Sequence, residues 1–287
     1  MFASTGSSDP MAYNIISYAC RNAMLVASFV AGCIPLSTKL SDAKLNFLTS
    51  LSVGLLISTS LVVIIPEGVE TLYNNSIDSE VVKSTTANHS AVGMSLLFGF
   101  AVMFVIDQVS SMHVHQPKRI VNTEIDALET TNHKETLVTP TIGLIVHAAA
   151  DGIALGASAT HPQLSMVVFF AIMLHKAPSS FALTTVLLSE GLSRTTVRRH
   201  LLLFSMSAPA GAISTYLLLQ LFSVDNSWNL EYWTGILLLF SGGTFLYVAM
   251  HAIQELQSNT SKVDYHQLGS ILVGMLIPFV LNFNHSH

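Results

Sequence analysis

Residues 139–160 read TPTIGLIVHAAADGIALGASAT, about the 20 mostly apolar residues that one bilayer crossing needs. Asp151 is the single formally charged residue in the stretch. Ala148, Ala149, Ala150, Gly152, Ala154, Gly156 and Ala157 crowd it with small side chains. In lipid, small residues let helix backbones approach closely. This segment is therefore expected at the centre of a helical bundle.

Seven further apolar stretches surround it, at approximately 18–38, 46–68, 91–109, 165–189, 199–222, 232–255 and 266–284. The expected fold is an all-α integral membrane protein, an eight-helix transmembrane bundle forming one domain over residues 1–287. Composition agrees. Charged residues make up 10% of the chain, against roughly 25% in soluble domains. The net charge of −5 gives no basic face for nucleic acid. Cys20 and Cys33 sit in or near an apolar run and predict no disulfide framework. The N-terminus lacks the basic region of a cleaved leader, so the first apolar segment is expected to insert the chain. Prolines 66, 178 and 209 fall within spans and predict kinks with freed carbonyls.

Basic residues near span ends predict orientation. Odd-numbered connections carry Lys39, Lys44, Lys118, Arg119, Lys134, Arg194, Arg198, Arg199 and Lys262; even-numbered ones carry Lys83 alone. The odd connections, including the polar loop 110–139, are expected in the cytoplasm. Both termini then face the exterior or a lumen. The acceptor patterns at Asn74 and Asn88 fall on the glycosylated side, which agrees independently.

Ionisable groups deep in a membrane are functional candidates. His147 and Asp151 stand four apart, on one helix face. His175 and Ser179 repeat that spacing in the next span. If the two faces meet, two imidazoles, a carboxylate and a hydroxyl converge. Such ligands suit zinc, and also manganese or iron(II). Lys176 lies beside them, about ten residues from the nearer span end. It is read as a fixed positive charge with Asp151 as its nearest counter-ion by depth, excluding a second cation. Glu67 and Glu70 at one side, and His251 and Glu255 at the other, are candidate way-stations. His113 and His115 after the third span form a loose metal-binding pair, with an ordinary loop as the rival reading; His285 and His287 carry less weight. His200, beside Arg198 and Arg199, reads as an interfacial anchor.

The stretches His147–Gly152 and His175–Ser179 resemble the fourth- and fifth-helix signatures of the ZIP (Zrt/Irt-like) metal-ion transporters. Ile65-Pro66-Glu67-Gly68, Gly243–Ala249 and Asp107-Gln108 support the resemblance, which runs from the first span to the last. It implies an inverted repeat, the first three helices against the last three around the fourth and fifth. It implies import of Zn²⁺ and related divalent ions into the cytosol as substrate rather than cofactor. It also implies a Golgi or plasma-membrane location. His147, Asp151 and His175 match the family's transport-site ligands, and Ser179 sits where many members carry an acidic or histidine ligand. Ala148 and Lys176 replace residues of a second metal position, and Val63 replaces a second-helix ligand; the resemblance then reads as a mononuclear site. A homodimer is a further partner reading.

Two other functions use the same residues. An intramembrane zinc-dependent hydrolase, such as a lipid amidase, needs an open water position and a free general base. No spare acid occurs at that depth, and His-Glu-x-x-His is absent. A metal- or ligand-sensing membrane receptor is the third reading.

Overall fold

The computed structural model describes residues 10–37, 41–74, 84–114, 139–160, 162–221, 230–258 and 265–283, with the outermost turns of most helices described as backbone alone. Helix α1 spans Pro10–Ser37. Helix α2 is continuous but composite: Asp42–Ser58, a π-helical turn Thr59–Ile64, then Ile65–Asn74. Next come α3 (Ser84–Val114) and α4 (Thr139–Ala157), which ends in the 3₁₀ turn Ser158–Thr160. They are followed by α5 (Pro162–Ser189), α6 (Arg194–Leu221), α7 (Leu230–Ser258) and α8 (Tyr265–Phe283). No strand occurs among the described residues.

Five of these helices contain segments long and apolar enough to cross a bilayer: Asp42–Tyr73, His89–Val109, Leu164–Ser189, Arg194–Leu221 and Tyr232–Gln254. Asn22–Ser37, Thr141–Ala157 and Tyr265–Leu281 are shorter apolar helices. Their outward faces are apolar too. Val30, Phe98, Phe170, Leu218 and Val280 are more than half exposed, as a surface bathed in hydrocarbon requires. Polar side chains gather inside instead, Ser52, Thr185 and Thr244 among them.

The packing follows a repeated scheme. Helix α1 lies on α5 as α6 lies on α4; α3 lies on α7 as α8 lies on α2; α2 meets α5 as α7 meets α4. Exchanging α1–α3 with α6–α8, and α4 with α5, maps these contacts onto themselves. Successive crossings alternate in direction, so helices five apart in order run oppositely and the repeat is inverted. Reciprocal glycines mark two equivalent seams. A Cβ on Gly54 would come within 2.0 Å of the Ile271 carbonyl, and one on Gly274 within 2.1 Å of the Leu51 carbonyl. The α3–α7 seam repeats this, with Gly99 against the Phe240 carbonyl and Gly243 against the Leu96 carbonyl, each at 2.1 Å. Any larger side chain would force these backbones apart.

Local chemistry sets the ends and irregularities. Gly191, at φ +84°, closes α5: its N–H bonds to Leu188 O and the Leu192 N–H to Leu187 O. Ser193 then caps α6, its Oγ accepting from the Thr196 N–H at 3.3 Å. Arg194 donates to the Leu36 carbonyl at 3.0 Å and so ties the start of α6 to the end of α1. The π turn of α2 immediately precedes Ile65-Pro66. Proline lacks the N–H for the usual bond and its ring pushes on the carbonyl four residues back, so the helix widens there. Pro178 and Pro209 are accommodated inside α5 and α6.

Candidate metal centre

Helix α4 carries the first two candidate donors, and small residues decide where it lies. A Cβ on Gly152 would meet the Ala208 carbonyl at 2.2 Å, so α4 and α6 touch backbone to backbone. This contact turns the opposite face of α4, with His147 and Asp151, toward α5 and α7. Across from it α5 presents His175. The nitrogen and oxygen donors of His147, Asp151 and His175 lie within 4.8 Å of one another, and all three side chains are buried. The Asp151 Oδ2 sits 3.3 Å from His147 Nε2 and 2.9 Å from His175 Nε2. Phe245 closes one side, its ring 4.5 Å from that of His147 and 6.3 Å from that of His175.

The remaining bonds come from α7. Ser241 donates its hydroxyl to Asp151 Oδ1 at 2.5 Å. The His147 Nδ1–H points at both the Ser241 Oγ, 2.8 Å away, and the Ser241 carbonyl, 3.2 Å away. Thr244 donates to that same carbonyl at 2.6 Å. A carbonyl can only accept, so His147 carries its proton on Nδ1. Its Nε2 is then a lone-pair donor facing a carboxylate oxygen.

The other candidate residues fall elsewhere. Ser179 is buried, but its hydroxyl donates to the His175 carbonyl at 2.5 Å rather than joining the three donors. Lys176 is 2% exposed. Its Nζ stands 4.7 Å from the centre of the Phe204 ring and has no hydrogen-bond partner among the described residues. Asp151 makes no direct ion pair with it among the described residues, but remains the opposite charge that acts on it, while the aromatic face adds a cation–π contact. Glu67 is half-buried and Glu70 exposed on the last piece of α2, neither within the donor cluster. His200 bonds through Nδ1 to Thr141 Oγ1 at 2.9 Å and joins the starts of α4 and α6. Asn74, Asn88, His113, His115, Glu255, His285 and His287 lie outside the residues whose side chains are described.

A second polar group links α3 and α7. Tyr247 donates to Asp107 Oδ2 at 2.5 Å, and His251 Nδ1 lies 3.7 Å from the same oxygen. The Tyr247 and His251 rings are stacked at an interplanar angle of 17°. His251 also borders an apolar cavity lined by Leu56, Leu144, Leu183 and Val248.

Sequence reasoning missed Ser241, and noted Thr244 and Tyr247 only within the stretch Gly243–Ala249, with no site role. The available signal was their polarity inside the apolar run of α7, but single hydroxyls are common in membrane helices and usually bond to their own backbone.

Comparison with known proteins places the chain. The family profile described as "ZIP Zinc transporter" matches residues 15–140 and 136–282. Zinc transporter ZIP9-B of Xenopus laevis is 38% identical over 300 residues, covering 92% of this chain and 96% of the relative. Zinc transporter ZIP9 of Micropogonias undulatus is 38% identical over 310 residues with the same coverage. Zinc transporter ZIP9 of Macaca fascicularis is 43% identical over 159 residues, 51% of this chain and 67% of that protein. With its multi-pass helical bundle and its buried pair of histidines around a carboxylate, this chain belongs to the ZIP zinc transporter family.

Proposed function

We propose that the chain carries Zn²⁺ across the membrane into the cytosol, with His147 Nε2, Asp151 and His175 as its ligands. The observation that carries this reading is the contact at 3.3 Å between His147 Nε2 and Asp151 Oδ2. Two electron-pair donors face each other there, and the His175 Nε2–H that reaches the same oxygen at 2.9 Å would give way to a cation shared by all three. Zinc bonds of about 2.0–2.2 Å need donors gathered to this degree. Three protein ligands leave room for water or for exchange, which a carrier requires.

In this reading the ion approaches past Glu70 and Glu67, sheds most of its water and enters the centre. Rocking of one helix group against the other, along the inverted repeat, opens the site to the opposite side. The ion then leaves past His251 and Glu255, beside Asp107. Lys176 keeps a second cation out of the centre. The termini face the exterior or a lumen, Asn74 and Asn88 carry glycans there, and the membrane is that of the Golgi or the cell surface. Manganese and iron(II) are secondary substrates, and two copies assemble as a homodimer.

The test is zinc flux into proteoliposomes bearing the purified full chain. Wild-type protein fills the vesicles, whereas His147→Ala and His175→Ala stay in the membrane and move no zinc. Normal flux through both variants would remove the ligand assignment. No flux through the wild type would remove the carrier reading in favour of a hydrolase or a receptor.

A further inference from the structure

We infer that Ser241 is the positioning residue that makes the centre a cation site. It rests on the reading of His147, Asp151 and His175 as ligands and adds what aims them. Three of its contacts converge on two ligands. The carbonyl accepts from His147 Nδ1–H at 3.2 Å, the Oγ lies 2.8 Å from the same nitrogen, and the hydroxyl proton goes to Asp151 Oδ1 at 2.5 Å. The chain of donation runs in one direction, His147 Nδ1–H to Ser241 Oγ–H to Asp151 Oδ1. Every proton in it is engaged away from the centre. The Nε2 of His147 and the Oδ2 of Asp151 therefore have only lone pairs to present to each other. Were the imidazole to flip its proton to Nε2, that proton would point into the centre and occupy the lone pair a cation needs, beside an Asp151 Oδ2 that already accepts from His175 Nε2–H at 2.9 Å. Ser241 blocks that alternative, because its hydroxyl proton is committed to Asp151 Oδ1 and its Oγ can then only accept from His147 Nδ1–H.

Two features give this role its rigidity. Ser241 is fully buried, and Thr244 donates to the same carbonyl at 2.6 Å, fixing the acceptor's direction. The residue also sits on α7, whereas the ligands sit on α4 and α5, so the ligands are aimed from a third helix. Partners that fix the far nitrogen of a metal-binding histidine typically change metal affinity by about 10–100-fold when removed.

The experiment is zinc uptake by the full chain in proteoliposomes, with KM and Vmax measured separately. Ser241→Ala is expected to raise KM roughly 10–100-fold and keep Vmax near the wild-type value. Ser241→Thr, which retains the hydroxyl that alanine lacks, restores KM. An unchanged KM in Ser241→Ala, a fall confined to Vmax, or a Ser241→Thr as impaired as the alanine variant would each overturn the inference. Those results leave the ligand reading standing as long as His147→Ala is inactive. Active His147→Ala and His175→Ala would sink the ligand reading itself. Should Ser241→Ala not be recovered folded, ¹⁵N-histidine NMR of the zinc-free wild type decides. A protonated Nδ1 on His147 supports the inference, and a protonated Nε2 overturns it.

Discussion

Helix α7 carries two polar clusters with similar ingredients and opposite settings. At Ser241 it completes a centre with two imidazoles and one carboxylate, each 1–2% exposed. Two turns further on, Tyr247 and His251 meet Asp107, where the histidine side chain is 29% and the carboxylate 12% exposed. Both clusters combine histidine, aspartate and hydroxyl. In the first, no water is at hand to replace a missing partner, so each donor acts at full strength. In the second, the solvent-facing side of His251 softens every interaction, and the 3.7 Å separation is loose. The first arrangement suits selective capture of an ion stripped of water. The second suits brief contact with one that is leaving.

That contrast can be broken at its strongest point first. Asp151→Ala takes away the oxygen shared by both imidazoles and is expected to lower zinc affinity by at least about 100-fold, beyond the range seen for outer partners alone. Isothermal titration of zinc into the purified protein measures it; a loss under tenfold would make the two clusters equivalent. Acidification comes next. Imidazole must shed its proton to bind metal, so uptake falls once the medium is made acid enough to protonate the buried centre. The same fractional loss is expected in His251→Ala, since the competition belongs to the buried centre. An acid-insensitive His251→Ala would move the proton-sensitive step to the half-open cluster. The smallest effect is expected from Tyr247→Phe. It removes one hydrogen bond, about 1 kcal/mol, and should change uptake by no more than about fivefold in either direction. Initial rates would show it, and inactivity would mark the α3–α7 cluster as a second obligatory centre.

Much of this organisation is legible in the sequence, and the reason is spacing. His147 and Asp151 are four apart, which alone places them on one face of α4. The long apolar runs announce helices because lipid offers no partner for bare backbone. The crowd of alanine and glycine around Asp151 foretells the close α4–α6 contact at Ala208. Ser241 was hidden because it lies 94 residues from His147, and only the fold brings them together. Lys176 had a legible depth and a legible counter-charge in Asp151, but not a legible aromatic contact. Its ammonium sits over the Phe204 ring, a contact between consecutive helices that periodicity does not predict. Ser179 had the right spacing, yet a short hydroxyl in a helix reaches its own backbone more easily than a neighbour's ligand field.

The π turn in α2 has a consequence for phase. Ser60, Gly68 and Leu72 all address α7, at Gly242, Leu239 and Gly235 respectively, and Ile64 lies against Gly242 as well. In a regular helix residues four apart creep around the axis by about 40° each time, roughly 120° over these three steps. The widened turn acts as one additional residue and takes back about 100° of that drift. A stripe of every fourth residue thus stays aligned with a nearly straight neighbour. Deleting a single residue between Thr59 and Ile64 would regularise the coil and leave Gly68 and Leu72 in their notches, whereas winding it regularly with every residue kept would swing them out by about 100°.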